Sequence, residues 1–254
     1  MTCFWQQLKF DGRRLILRNG SFQFFSILMP ASFYLLFTRV MVTGNAADMA
    51  IFRSQYLCSM LVYSGTINAL FGIAQLLMHD RERGLLRWLT LTPGGVRPYY
   101  LSVGCLSLVM NLLAVGVLGT IAVLVNQVSL SVAQWLAIAG LMIIGQLPVL
   151  LMGVLLSFIN RAETLSLASN LITFPLAIIS GLWWPIRTLP TWLQPVGKQM
   201  PTYFLNDLLG RVVTRGTLET TNVWGLLAWI VGLLILVVGI TRHRLNRGGD
   251  VVTS

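Results

Sequence analysis

Six long apolar stretches decide what this chain can become: residues 20–43, 54–78, 99–125, 133–159, 164–184 and 223–241. Of its 18 basic and 8 acidic side chains only Arg39 falls inside them, near the end of the first. About 20 consecutive apolar residues cross the hydrocarbon of a bilayer as a helix, and each stretch is about that long. A water-soluble fold of 254 residues, 10% charged where roughly a quarter is usual, has too little polar cover for so much apolar surface. The expected fold is therefore an all-α integral membrane protein of six transmembrane helices, built as one domain over 1–254. This excludes soluble enzymes, zinc-finger modules and disulfide-framed secreted folds. A cleaved signal peptide is also set aside, since 20–43 is too long for its apolar region.

Basic residues set the orientation. Lys9, Arg13, Arg14 and Arg18 precede the first span; Arg81, Arg83, Arg87 and Arg97 sit between spans two and three. With Arg161 and the tail arginines 242, 244 and 247, that side carries twice the Lys and Arg of the other. Both termini are predicted cytoplasmic, in a plasma membrane. The net charge of +10 then faces anionic lipid rather than nucleic acid. Residues 3–18 mix Phe4, Trp5, Leu8, Leu15 and Ile16 with cations, as in a helix lying in the interface. Residues 79–98 form a charged cytoplasmic loop. Residues 185–222, rich in proline and aromatics, form a long extracellular segment of short helices that dip into the membrane and return.

The spans carry no ionisable group at mid-depth, where ion-coupled carriers place one. The chain also has no G-x-x-x-x-G-K-[ST] phosphate loop, so any transport work draws on another chain. Ser64, Asn68 and Gln75 share one helical face, as do Ser166, Asn170, Thr173 and Ser180. Asn111 and Gln146 add single amides. These groups line either a substrate path or dimer seam, or are hydrogen-bonded packing between helices worth about 0.6 kcal/mol apiece. Gly225, Gly232 and Gly239, at intervals of seven, read as a packing seam, and Pro30, Pro148 and Pro175 as kinks. Cys3, Cys58 and Cys105 have no pairing or metal-like spacing, and no metal site is expected. His79, Asp80, Glu82 and Arg83 are the one cluster an enzyme could use, although charged clusters at span ends are routine.

Two segments carry a resemblance. Asp80-Arg-Glu-Arg-Gly-Leu-Leu-Arg-Trp-Leu-Thr-Leu-Thr-Pro93 resembles the short cytoplasmic element of ABC-2 type transporter permeases. Ser180-Gly-Leu-Trp-Trp-Pro-Ile-Arg-Thr-Leu-Pro-Thr-Trp-Leu-Gln-Pro195, followed by Met200-Pro-Thr-Tyr203, is similar to that family's stretch leaving the fifth span. Leu85 stands where Thr is common and Arg87 where Glu is common, a more basic element than usual. The resemblance implies two permease chains, identical or related, each on a cytoplasmic ATP-binding subunit that binds ATP and Mg; this chain would need no cofactor of its own. The 80–93 element would be the coupling helix. Glu82, Arg83 and Arg87 would pair with charges on the partner, Gly84 would allow a turn, and Leu86 and Trp88 would supply anchors before Pro93. The resemblance implies an exporter of a small amphipathic or hydrophobic compound, drug or peptide. Its rivals are a membrane enzyme or assembly factor using His79–Arg83, and an ion-coupled carrier.

Overall fold

The computed structural model describes residues 2–13, 20–40, 46–92, 95–217 and 219–246. They form helices joined by short turns, with no strand among them. Five helical stretches are long and apolar enough to cross a membrane: Asp48–Glu82, Arg97–Asn126, Val132–Leu156, Ala162–Ile179 and Thr220–His243. A shorter apolar helix covers Phe24–Val40.

The Asp48–Glu82 stretch is the axis of the fold. It consists of α3 (Ala46–Ile67), a π-helical segment (Asn68–Ile73) and α4 (Ala74–Glu82). Its most apolar window is 89% buried, against 11% for Thr220–His243, which places one at the centre and the other at the rim. Around it pack α2 (Gly20–Leu35, prolonged by a π turn to Val40), α6 (Arg97–Asn126), α8 (Leu147–Leu156) and α9 (Ala162–Ile179). Tyr34, Leu57, Leu61, Tyr63, Leu118 and Met142 fill the core. This axial helix begins before and ends beyond the predicted 54–78 because its terminal charges find partners. The Arg53 guanidinium donates to the Asn126 carbonyl at 3.3 Å, and Asp80 is held on α6.

The predicted proline breaks resolve differently. Gln146 divides the fourth apolar stretch into α7 (Val132–Gly145) and α8, with Pro148 in the first turn of α8, where its missing N–H costs nothing. Pro30 and Pro175 lie inside α2 and α9. Pro30 leaves the Ser26 carbonyl without its helical donor, and the Ser64 hydroxyl of α3 donates to that oxygen at 3.0 Å.

After α9, Gly181 adopts φ +77° and turns the chain out through Trp183 and Trp184. A 3-10 turn (Ile186–Thr188), α10 (Gln194–Gly197) and α11 (Pro201–Arg215) follow. The apolar face of α11 packs between α3, α7 and α12 (Thr220–Asn246). Leu205 sits against Gly145, and Gln134 Nε2 donates to the Val213 carbonyl at 2.9 Å. Eleven residues of α7 separate those two contacts, so α11 runs alongside that helix for roughly 15 Å. Of the predicted glycine seam, Gly225 faces the Phe204 ring, while a Cβ at Gly232 or Gly239 would meet nothing within 4 Å among the described residues.

Candidate functional site

The residues singled out at 80–93 end the axial helix. Arg83 closes α4, and Gly84 at φ +72° reverses the chain into α5 (Leu85–Thr90). A residue with a Cβ disfavours that left-handed geometry, so glycine fixes the corner. The Gly84 carbonyl accepts from the Trp88 N–H at 3.1 Å, closing the first turn of α5.

This short helix has two faces. Leu86 is buried against Ile73, Leu77, Tyr99 and Val103, with Leu85 and Leu89 packed beside it. Expected as an anchor for a partner, Leu86 instead fastens α5 to its own chain. Glu82, Arg83, Arg87, Trp88 and Leu91 are exposed on the other side. Trp88 is 71% and Leu91 77% exposed, an apolar pair framed by charge on the outward face of the helix. Pro93 lies outside the described residues.

Beneath α5 the loop is pinned by polar groups. The Tyr99 hydroxyl donates to Asp80 Oδ2 at 2.5 Å, with both residues buried. Arg81 Nη2 donates to the Ile159 carbonyl at 3.0 Å and to Asn160 Oδ1 at 2.9 Å, tying α4 to the turn before α9. One turn along α6, the Ser102 hydroxyl donates to Asp11 Oδ2 at 2.8 Å. Asp11 is 1% exposed and belongs to α1 (Thr2–Gly12), which leaves Trp5, Lys9 and Phe10 facing outward. Two of the chain's eight acidic residues are thus buried on the first turns of α6, where a helix N-terminus favours negative charge. Helix α1, the α4–α5 corner and the start of α6 therefore meet in one collar. Asp11 was missed by sequence reasoning; a lone acid within a basic, aromatic segment was the available signal.

The collar makes a prediction. Asp80→Ala and Tyr99→Phe are each expected to lower thermal stability in detergent by about 1–3 kcal/mol, the cost of disrupting a buried hydrogen bond. The double variant is expected to lose less than the two together. A double-mutant cycle on unfolding midpoints measures this, and strict additivity would mean the two side chains do not act through each other.

His79 Nδ1 lies 3.4 Å from Glu82 Oε2, both exposed, while Asp80 turns inward. The cluster therefore does not converge on a pocket, as acid–base chemistry requires, and it forms no enzyme site.

The polar stripes lie inside the chain. Asn68 Nδ2 reaches Ser107 Oγ at 3.3 Å and Asn111 Oδ1 at 3.4 Å. Gln146 Nε2 donates to the Val62 carbonyl at 3.1 Å. Gln75 Nε2 donates to Ser166 Oγ at 3.3 Å, and Asn170 Nδ2 to the Ser166 carbonyl at 2.9 Å. Ser64, Asn68, Asn111, Gln146 and Thr173 are all buried. Ser64, Asn68, Asn111 and Gln146 sit between helices of this chain, whereas Gln75 and Asn170 are half-buried and Asn170 bonds within its own α9.

Against known proteins, residues 50–241 match the family model described as ABC-2 family transporter protein. The chain is 27% identical over 229 residues to YvfS of Bacillus subtilis (strain 168), named as a transport permease, covering 90% of this chain and 93% of that one. A 93-residue segment, 34% of this chain and 13% of the other, is 27% identical to ABC transporter G family member 20 of Dictyostelium discoideum. No solved structure matches. Permeases of this kind generally pair with an ATP-binding subunit, where ATP would be held. A helical membrane protein with no nucleotide loop of its own, whose family match runs from the axial helix into the last span, belongs to the ABC-2 transporter family as a non-catalytic permease subunit.

Proposed function

We propose that this chain is the membrane subunit of an exporter that moves a small amphipathic or hydrophobic compound, drug or peptide out of the cell. It does so with ATP hydrolysed by a separate subunit. In this reading residues 1–254 form one transmembrane domain of six spans in the plasma membrane. Phe24–Val40 is the first span, and both termini are cytoplasmic. The α10–α11 segment is an extracellular element that re-enters the membrane. Two permease chains pair, and each rests on one ATP-binding subunit.

One observation carries the reading: the α4–α5 corner is immobilised on its underside and bare on its upper face. A loop that only lay on lipid would gain nothing from Leu86 in the core, Asp80 on Tyr99 and Arg81 on Asn160. A transmission element gains from all three, since movement imposed at Trp88 reaches the axial helix without being absorbed by a soft joint. Glu82, Arg83 and Arg87 then choose the partner by charge, and Trp88 supplies the anchor. Nucleotide-driven closure of the ATPase pair shifts the α5 helices and switches the permease pair between inward- and outward-facing states.

The test is affinity purification of the tagged chain from native membranes in mild detergent, with co-purifying proteins identified and ATP hydrolysis assayed. The expected result is an ATP-binding subunit at one copy per permease, lost when Glu82–Arg87 is disrupted. A chain recovered alone, under conditions where other membrane complexes survive, overturns the reading.

A further inference from the structure

At the end of the axial helix opposite α5, a cavity of about 300 Å³ opens between α3, the turn after α9 and α11. Tyr56 and Glu82 are 26 residues apart on that helix, so roughly 40 Å separates the cavity from the α5 corner. The volume is at the small end of the range for organic ligands.

The cavity is built rather than incidental. Gly197 of α10 lies so close to the Ile179 carbonyl that a Cβ would overlap it, and Gln194 Nε2 donates to the Leu189 carbonyl at 2.9 Å. These contacts hold the turn that carries Trp184 and Arg187 into the cavity wall. On the α11 side, Asp207 Oδ2 accepts from Arg211 Nε and from Asn222 Nδ2, both at 2.6 Å, and Arg211 also pairs with Glu219. Asn206 Oδ1 accepts from the Ser59 hydroxyl at 3.1 Å. The chain therefore already satisfies the Asp207 carboxylate and the Asn206 amide oxygen of that wall.

Two of the donors in that wall, Arg187 and Tyr56, decide what it can take. Arg187 makes no hydrogen bond or ion pair among the described residues and is exposed at the cavity. Tyr56 is 4% exposed and in the wall; its ring stacks on Phe52 at 5.4 Å, and its hydroxyl has no partner among the described residues. The charges lining the cavity are Arg187, Arg211 and Asp207; Arg211 is taken up by Asp207 and Glu219, which leaves Arg187 as the charge open to a ligand. A guanidinium and a buried phenol both seek acceptor oxygens, while Phe52, Trp184 and Tyr203 offer ring surface to an apolar body.

We propose that this cavity binds an amphipathic organic anion, a carboxylate or phosphate ester on an aromatic or short acyl body. Arg187 takes the anionic head, the Tyr56 hydroxyl, closed off from the cavity in this conformation, donates to it once the ring shifts, and the rings cover the tail. Only the site's outward-facing position rests on the reading of the chain as an exporter; binding itself does not. The shared chemistry is met either by a free solute or by the headgroup of an anionic lipid.

The experiment uses the full chain in nanodiscs of phosphatidylcholine, without any ATPase, so that failure of the transporter reading leaves it unaffected. Isothermal titration with 4-butylbenzoate is compared with its uncharged methyl ester. The expected result is saturable one-to-one binding of the benzoate, with the ester about tenfold weaker, as the loss of a charge-assisted hydrogen bond implies. Arg187→Gln should weaken the benzoate by about tenfold, again one charge-assisted bond, and leave the ester unchanged. Tyr56→Phe, which keeps the ring and its stacking, should weaken the benzoate severalfold. Equal binding of benzoate and ester, no binding at millimolar probe, or an unaffected Arg187→Gln variant overturns the proposal. Discs containing phosphatidylglycerol separate the sources. Loss of benzoate binding in the wild type, with little further effect in Arg187→Gln, identifies a lipid headgroup; retained binding identifies a free solute.

Discussion

Replacing Trp88 by alanine is expected to detach this permease from its ATP-binding partner while leaving its membrane fold unchanged. The side chain is 71% exposed and stands on the outer face of α5, held from behind by Leu85, Leu86 and Leu89. Tryptophan dominates protein interfaces when it is buried at their centre, and truncating such an anchor costs about 2 kcal/mol or more, roughly thirtyfold in affinity. Its side chain lies outside the cluster that buries Leu86, so retention volume and melting midpoint should match the wild type. Leu86→Ala supplies the contrast. It empties a site in the chain's own core, at about 2–5 kcal/mol, and should lower the melting midpoint as well as partner recovery. Quantitative pull-down and thermal unfolding on the same preparations check both. Full partner recovery by Trp88→Ala would remove α5 from the interface.

Why Leu86 and Trp88 looked alike in the sequence is a matter of length. A six-residue helix such as α5 is too short for an apolar period to show which side is which. The decision comes from Ile73, Leu77 and Tyr99, which lie on other helices. The helical membrane class was legible because a bilayer imposes one demand, continuous apolar length, that a chain answers locally. Helix ends were less so. Asp48, Arg53 and Asp80 look like terminators, yet the axial helix runs through all three. Arg53 meets Asn126 and Asp80 meets Tyr99, across separations no local pattern encodes.

The same holds for the polar groups. That Ser64 and Asn68 share a face follows from helical spacing alone, but their destination does not. Ser64 donates to the Ser26 carbonyl, which the N–H-less Pro30 cannot serve, and Asn68 meets Ser107 and Asn111. Proline and serine each suggest a feature in isolation; their partnership exists only once α2 and α3 are packed.

A large effect on both stability and transport is expected at Gly153. Within the axial helix the π-helical turn Asn68–Ile73 shifts the regular i to i−4 pairing, and widened turns of this kind recur where helices serve function. Three neighbours clasp it: Asn68 is bonded to α6, the Ser169 hydroxyl of α9 donates to the Leu70 carbonyl at 2.7 Å, and Gly153 of α8 lies directly against the Ala69 carbonyl. A Cβ at 153 would overlap that oxygen. The oxygen is backbone in the most buried helix of the fold, so it cannot swing aside as a side chain would. Gly153→Val should therefore cost at or above the usual 1–3 kcal/mol of overpacking, roughly a 5–10 °C fall in melting midpoint. Ser169→Ala removes one interhelical bond worth about 0.6 kcal/mol and should shift the midpoint by only about 2 °C. Cys58 supplies the readout, being fully buried in α3. With Cys3 and Cys105 replaced by serine it is the sole thiol, and a thiol-reactive fluorophore reports when the axial helix opens. The clasp also stands between the α5 corner and the opposite end of the axial helix, so a distorted π segment should cost coupled transport in reconstituted vesicles even below the melting temperature. A Gly153→Val variant that melts and transports like the wild type would mean that the close approach to Ala69 holds neither the fold nor the motion.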